Sequence, residues 1–378
     1  MLLSVDEFQI KTLNEIPSKM GYYIVDNRIY ASRCAASMDA TVTNNDVNFY
    51  YNNDVFSQVN WKTEPQESLE SLYQARAQQL REKYDYLIIS YSAGSDSHNL
   101  TQSFIKNNIK FDELYVYYAD HYNINKNLDA QNTEILNAGI NVINWCNNNN
   151  IKVTYDNLCN YLPLCHLDLN WIWHNDPTFM ISTPLREQSM RLRKDWRKKV
   201  DSGQSVAIVI GAEKPRLYRH HNKWITTFID VINSYNWPDY HTDFNGIVLE
   251  AFYATPDLPE LIVKQCHILK NHIQSNFNVT EININFPLSQ NWNNLLNSRL
   301  VRECLYPYWK DDTFSTGKSP GIYSHKDKWL WGQNFQNSII YFAGLEWINQ
   351  NISKKFFNSN NFSTGGFKGI ISDIYYLE

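Results

Sequence analysis

The stretch from Tyr86 to Ser97 has the sequence YLIISYSAGSDS, and it predicts the fold of the chain around it. Its first six residues form a short apolar run, which is typical of a buried strand. The next six, 92–97, are small or polar, and the residues that follow, 98–107, have the apolar spacing of a helix. A strand, a tight loop and a helix in this order predict the start of a βα unit.

The same alternation continues on the carboxyl side of this unit. Further strands are predicted at 114–118, 151–155 and 205–211, and helices at 133–147 and 184–200. The run at 205–211 is almost wholly apolar, as in strands that are covered on both faces of a parallel sheet. The pattern therefore predicts the α/β class, with a Rossmann-like parallel sheet and helices on both faces.

The alternation divides the chain into three predicted regions. Residues 1–65 have the pattern of short strands and turns, which predicts a small N-terminal cap. Residues 66–216 hold the α/β domain. The pattern weakens from about 217, and 217–378 are predicted to be a mainly helical region that packs on the sheet and completes a substrate site, with helices near 258–274, 291–305 and 335–350.

Composition excludes several classes of partner. The 34 Lys and Arg against 39 Asp and Glu give a net charge of −5, so no broad basic field for nucleic acid is present, although a local patch stays open. No apolar run approaches the roughly 20 residues of a membrane span, and no export signal is visible. The six cysteines form no CxxC pair. We expect a cytoplasmic protein with no membrane partner, and its oligomeric state stays open.

The loop 92–97 has the chemistry of a phosphate site. Small residues allow the backbone to approach a polyphosphate, and successive N–H groups at a helix N-terminus attract anions. The hydroxyls of Ser92 and Ser97 can donate to phosphate oxygens, and Asp96 can hold Mg²⁺ or cap the helix. The alternative is an ordinary Ser/Gly turn with a helix cap.

This loop resembles the PP-loop of the ATP pyrophosphatase superfamily, whose signature is Ser-Gly-Gly-x-Asp-Ser. Ala93 stands where that signature has its first glycine. The resemblance covers roughly 84–216 and is nearest in style to cyano-deazaguanine synthase-like proteins and uncharacterised PP-loop proteins of large phages, which would place a viral protein in the host cytoplasm. The C-terminal cysteine cluster of the deazaguanine branch is missing, so the branch and the acceptor stay open.

The resemblance implies ATP and Mg²⁺ as cofactors, and a reaction that adenylates a substrate with release of pyrophosphate and then AMP. The predicted catalytic residues are Asp96, which would also bind the Mg²⁺, and Lys214 and Arg216, which are inferred from their position after the fourth predicted strand. The predicted nucleotide-binding residues are Ser90, Ser92, Ala93, Gly94, Ser95, Asp96, Ser97, Asp120, His121, Gly211 and Glu213.

The position of the segment 211–216 in the chain also indicates a place at the ligand site. It follows the fourth predicted strand, and ligands of doubly wound sheets bind beyond the carboxyl ends of the strands. Lys214 and Arg216 would there neutralise charge on the departing pyrophosphate, and Glu213 would assist a metal or a nucleophile. The alternative is a solvated turn held by Pro215.

A basic cluster lies on the predicted helix that precedes this strand. A solvated helix face balanced by acidic neighbours is the favoured interpretation, and contact with nucleic acid or triphosphate is the alternative. Arg186 and Arg193 are the arginines expected to reach the site if one does. The cluster consists of Arg186, Arg191, Arg193, Lys194, Arg197, Lys198 and Lys199.

The leading functional hypothesis is an AMP-forming ligase or amidating enzyme that acts on a small molecule or nucleobase, with nucleic-acid modification also open. The aromatic segment 161–179 would cover the substrate. One alternative is a sulfur-transfer or adenylylsulfate-reductase-like enzyme, which requires a cysteine of low pKa near the loop. Another is a non-enzymatic module that binds or senses a nucleotide.

Overall fold

The computed structural model describes most of the first 276 residues and three short segments nearer the C-terminus. The described residues are 9–10, 20–30, 33–118, 139–157, 192–211, 217–220, 223–228, 246–276, 299–309, 361–364 and 367–378, with the single positions 160, 190, 215 and 230.

Strands and helices alternate along the described chain. The strands are β1 (Gln9–Ile10), β2 (Tyr22–Val25), β3 (Arg28–Tyr30), β4 (Val47–Tyr50), β5 (Tyr86–Tyr91), β6 (Glu113–Tyr118), β7 (Lys152–Asn157), β8 (Val206–Ile210), β9 (Leu217–His220), β10 (Lys223–Thr226), β11 (Ile247–Ala251), β12 (Asn361–Thr364), β13 (Phe367–Ile370) and β14 (Tyr375–Tyr376). The helices are α1 (Arg33–Thr43), α2 (Asn53–Phe56), α3 (Leu69–Lys83), α4 (Ser95–Lys106), α5 (Ile140–Asn148), α6 (Lys194–Asp201), α7 (Pro259–Asn276) and α8 (Arg299–Leu305).

The central element is a five-stranded sheet in the order β11-β8-β5-β6-β7, and every pair in it is parallel. The strand of this sheet that comes first in the chain, β5, lies in the middle, and later strands are added first on one side of it and then on the other. This is the strand order of a doubly wound Rossmann-like sheet. The predicted α/β class is confirmed, and β8 has the interior position that its apolar sequence indicated.

Two buried glutamates show that helices cover both faces. Glu113 and Leu249 are in register across the sheet through β5 and β8, so their side chains point to the same face. On that face Glu113 accepts a hydrogen bond from the indole of Trp196 in α6 at 3.0 Å. Glu250 is one residue further along β11 and points to the other face, where it accepts from Arg76 in α3 at 2.8 Å.

The N-terminal region holds a separate antiparallel sheet in the order β1-β3-β2-β4. The strands at 22–25 and 47–50 agree with the predicted short strands. The prediction of strands and turns alone was wrong for 33–43, which form α1. Alanine has the highest helix propensity, and Ala35, Ala36 and Ala40 form the fully buried side of this helix.

Aromatic side chains join this region to the C-terminal part of the chain. Phe56 lies 4.6 Å from Phe228, and Trp61 stacks on Tyr375 at 4.7 Å, both measured between ring centroids. Phe228 follows β10, which pairs with both β9 and β14 in a three-stranded sheet. The first and last parts of the chain therefore share one aromatic core.

The prediction that 217–378 are mainly helical was wrong for the described part. The fifth strand of the central sheet, β11, lies in this region together with β9, β10 and β14. A boundary at 216 therefore cuts the sheet. Glu250 interrupts the apolar run Ile247–Ala251, which hid the strand, and its burial is possible because Arg76 and Lys83 pair with it. The predicted helix at 335–350 lies outside the described residues.

The described helices are short or have a polar side. The 18-residue helix α7 buries Leu261, Cys266 and Leu269, whereas Glu260 and Asn271 are exposed. Within the described part of the chain, no helix is long and apolar enough to cross a membrane.

The ion pair between Arg76 and Glu250 connects α3 to β11 in the interior. The two side chains are 0% and 1% exposed. Arg76 also donates to the carbonyl of Ala251 at 2.8 Å, and Glu250 receives a further charged donor from Lys83 at 2.8 Å. Removal of one partner of a buried pair leaves an uncompensated charge, which is the costly change at such a site.

We expect Arg76→Met to lower the free energy of unfolding by about 3 kcal/mol, at the low end for a buried pair because Lys83 remains. The matched control is Arg197→Met, which breaks the exposed pair with Asp201 and should cost less than about 1 kcal/mol. Urea denaturation of both variants measures the difference. Equal losses would show that the buried pair does not hold α3 to the sheet.

Candidate functional site

The loop after β5 is shorter than predicted. Helix α4 begins at Ser95 rather than at His98, so only 92–94 lie between strand and helix. Gly94 is the N-cap, in an extended conformation, and no side-chain cap bond is made there. The N–H groups of a first helical turn have no acceptor within the helix. A glycine cap thus leaves the start of α4 without the side-chain acceptor that most caps supply.

Ala93 has a left-handed backbone, with φ +60°, and its side chain is fully buried. The other non-glycine residues with positive φ in the described chain are all Asn or Asp, whose side chains tolerate this conformation. Alanine has no such compensation and is strained there. This left-handed geometry explains why the PP-loop signature, which the loop resembles, has glycine at this position.

The hydroxyl of Ser97 closes the loop from inside. The backbone N–H of Ser92 donates to Ser97 Oγ at 3.2 Å, and the hydroxyl oxygens of these two serines are 3.1 Å apart. Ser97 Oγ also donates to the carbonyl of Gly94 at 3.2 Å. Both hydroxyls that were predicted to reach phosphate therefore lie together at the turn.

Gly211 brings the end of β8 against this loop. A Cβ atom on Gly211 would lie 2.9 Å from the carbonyl carbon of Asp96 and 2.9 Å from the backbone nitrogen of Ser97. Only glycine permits this approach of strand to helix. The end of β8 therefore meets the start of α4 where the strand order reverses, which is the usual ligand position in doubly wound sheets.

Asp96 is held by two tyrosines that sequence reasoning did not identify. Tyr306 donates its hydroxyl to Asp96 Oδ1, and Tyr253 donates to the backbone carbonyl of Asp96 at 2.7 Å. Tyr253 lies two residues beyond β11, so its place after a strand of the sheet was the available signal. Tyr306 follows α8 and is 210 residues from Asp96, with no pattern that connects them.

His98 lies in the same helix and contacts the end of β5. Its Nδ1 is 3.0 Å from the hydroxyl oxygen of Tyr91, the last residue of that strand. Burial lowers the pKa of His98 from its ordinary value of 6.5 to about 4, because desolvation disfavours the charged ring. The histidine is therefore neutral at neutral pH, and its contact with Tyr91 connects α4 to the end of β5 on the two sides of the loop.

Of the predicted site, the structure brings together Ser90, the loop 92–97 and Gly211. Ser90 is 6% exposed and lies two residues before Ser92 on β5. The remaining predicted positions lie outside the described residues, and their roles stay predictions. These are Asp120, His121, Glu213, Lys214 and Arg216.

Arg193, which was named with Arg186 as an arginine that would reach the site if one does, does not reach the loop after β5. Arg193 pairs with Asp195 at 2.8 Å and lies 3.9 Å from Glu113, which is the first residue of β6. It thus belongs to the amino edge of the sheet, roughly 16 Å from the edge that carries the loop, given about 3.3 Å per strand residue. On α6, Arg197 forms an exposed ion pair with Asp201, as expected for a solvated helix face. Arg186 lies outside the described residues.

No protein-family model matches the chain, and no curated protein matches it significantly. The likeness to the PP-loop superfamily therefore depends on the residues of the loop. The position of that loop in the sheet is an independent observation, because it comes from the strand order and not from the signature.

The strain at Ala93 can be measured against a second buried alanine, Ala77 in α3. Ala77→Gly should lower the free energy of unfolding by about 2 kcal/mol, because helix propensity contributes about 1 kcal/mol and the lost burial of the methyl group about 0.8 kcal/mol. Ala93→Gly loses the same methyl group but relieves about 1–2 kcal/mol of left-handed strain, so its cost should be at most about 0.5 kcal/mol. Chemical denaturation measures both, and equal costs would show that Ala93 is not strained.

The buried histidine predicts a pH dependence of stability. Above pH 6.5 the ring is neutral in both folded and unfolded chains, and as the pH falls toward 4 only the unfolded chain takes up the proton. The free energy of unfolding should therefore fall by about 2 kcal/mol between pH 7.5 and pH 5 through this group. Denaturation curves of wild type and His98→Gln test this, since the variant should lack that part of the loss. An unchanged pH slope in the variant would contradict the assignment.

Proposed function

We propose that this chain is an ATP-binding enzyme of the PP-loop type, which adenylates a substrate oxygen with release of pyrophosphate, after which a nucleophile such as ammonia displaces AMP. The observation that carries the proposal is the position of the loop 92–94. It lies between β5 and β8, where the strand order of the sheet reverses, and a glycine-capped helix begins directly after it. An anion at this point would meet backbone N–H groups and the positive end of α4.

The tight geometry of the loop also supports phosphate binding. A left-handed residue next to an extended glycine turns the chain within two residues, and Gly211 allows the neighbouring strand to approach without a side chain between them. Successive N–H groups in such a turn form a concave anion site. Strained residues of this kind are concentrated at functional sites, because they persist only where the surrounding structure holds them.

The residues of the loop fit a magnesium-bound triphosphate. Mg²⁺ prefers oxygen ligands and is usually held by one or two carboxylates together with substrate phosphates, so the single carboxylate of Asp96 suffices on the protein side. The backbone of Gly94 and Ser95 and the hydroxyls of Ser92 and Ser97 would bind the β- and γ-phosphates. Lys214 and Arg216 would stabilise the departing pyrophosphate, on the argument from their place after β8.

The described cysteines do not favour sulfur transfer. Burial raises the pKa of the Cys146 and Cys266 thiols to about 12, and it also raises the pKa of Cys304. A nucleophilic cysteine requires the opposite shift, since the thiolate is the reactive form. The side chains of the other three cysteines lie outside the described part of the chain.

A nucleotide-binding module without turnover is the second candidate, and one observation favours it. The carboxylate of Asp96 is already engaged by the Tyr306 hydroxyl. If that bond holds the carboxylate away from the metal, the loop would bind a nucleotide and not promote its cleavage. Turnover measurements separate this candidate from the enzyme.

The test is ATP turnover with α- and γ-labelled ATP and Mg²⁺, with a fractionated extract of cell metabolites as the source of acceptor. Wild type should form AMP and pyrophosphate. Asp96→Asn and Ser92→Ala should lower the rate by about 10²–10³, the loss that follows removal of one electrostatic contact to the transition state. Asp201→Asn, in an exposed ion pair of α6, is the matched control and should retain the wild-type rate.

The products decide between the two candidates. ADP and phosphate would reject adenylation. Bound ATP with no turnover across the extract fractions would support the nucleotide-binding module. AMP formation that Asp96→Asn leaves unchanged would remove this loop from the chemistry.

A further inference from the structure

We propose that Tyr306 and Tyr253 are positioning residues, which hold Asp96 in the orientation that a metal-bound triphosphate requires. The proposal rests on the proposed function and adds to it a role for the region after β11. Two tyrosine hydroxyls from separate segments both donate to Asp96, the one acidic residue of 92–97. Packing of the rings alone does not require this convergence.

The two bonds fix different parts of Asp96. Tyr306 donates to the carboxylate oxygen Oδ1, and Tyr253 donates to the backbone carbonyl at 2.7 Å. With the backbone and one carboxylate oxygen held, the plane of the carboxylate is fixed, and so is the direction in which Oδ2 presents its lone pairs. Fixing a metal ligand through a neighbouring hydrogen bond is a common device, and removal of such neighbours usually costs 10–100-fold in metal affinity.

The tyrosines are themselves held in place. The ring of Tyr253 lies 5.5 Å from that of Tyr306 and 5.7 Å from that of Tyr73 in α3, between centroids. Asn99 donates to the hydroxyl oxygen of Tyr253 at 3.2 Å, which directs the hydrogen of that hydroxyl toward Asp96. Tyr73 donates to the carbonyl of Leu305 and so fixes the residue that precedes Tyr306.

The hydroxyls keep their protons across the pH range in which proteins work. Burial raises the pKa of Tyr73, Tyr253 and Tyr306 well above the ordinary value, and the charge of Asp96 adds to the effect at all three. A protonated hydroxyl beside a carboxylate can only donate to it. Its role is therefore to orient Asp96 and not to transfer a proton.

Tyr23 in β2 provides a matched control for the test. Tyr306→Phe and Tyr23→Phe each delete one buried hydroxyl that donates to a carboxylate, but only the first removes a donor to Asp96, because Tyr23 donates to Asp230 at 3.1 Å. The dissociation constant of ATP is measured for both variants and wild type, once with Mg²⁺ and once with EDTA. We expect Tyr306→Phe to weaken the Mg²⁺-dependent part of binding by about 10–100-fold, with binding in EDTA unchanged. Tyr23→Phe should stay within about twofold of wild type in both conditions.

The result that overturns the proposal is an equal loss of affinity in Mg²⁺ and EDTA, or an equal loss in the two variants, since either shows only a structural contribution.

A second measurement does not depend on the nucleotide. Amide hydrogen exchange at 95–98 should be faster in Tyr306→Phe than in Tyr23→Phe. If wild type binds no ATP, the proposed function fails. In that case exchange alone decides: faster exchange in Tyr306→Phe supports the anchoring of Asp96, and equal exchange rejects it.

Discussion

The site depends on one backbone constraint, the left-handed turn at Ala93. This turn ends β5 and starts α4 within three residues, so the first turn of the helix lies directly over the end of the neighbouring strand β8. The contact is close enough that only glycine fits at 211. A longer loop would relieve the strain, but it would move the start of α4 away from the point where the strand order reverses. The strain and the position of the helix are therefore two consequences of the same short connection.

Two buried glutamates orient the elements that carry this turn. Glu113 receives donors from Trp196 and Thr154 on one face of the sheet, and Glu250 receives Arg76 on the other. Each carboxylate would be costly to bury without these donors, so each specifies which helix covers which face. Because α3 leads directly into β5, its attachment to β11 also holds the element that precedes the loop-bearing strand.

Strands of the sheet with a continuous apolar sequence could be predicted from the sequence. A strand that depends on a distant side chain for its stability could not. The apolar runs of β5 and β8 were sufficient. The start of α4 was placed three residues late, because Ser95 and Asp96 are weak helix formers in a helix interior and favourable in a first turn. Glu250 hid β11 for a different reason, since its burial depends on an arginine 174 residues away. Tyr306 has no local signal, because only the tertiary fold brings it to Asp96.

These distant partners make the region after β11 part of the candidate site. Tyr253 and Tyr306 reach the loop from the carboxyl side of β11 and α8, and Tyr73 reaches the same cluster from α3. Three segments that are far apart in sequence thus share one ring cluster beneath Asp96. The backbone N–H groups and hydroxyls of a phosphate-binding loop bind any polyphosphate alike, and the carboxylate of Asp96 is the one group of 92–97 that could favour a metal-bound form. The orientation of the single carboxylate is what would restrict such a site to a metal-bound form, and that orientation comes from outside the signature.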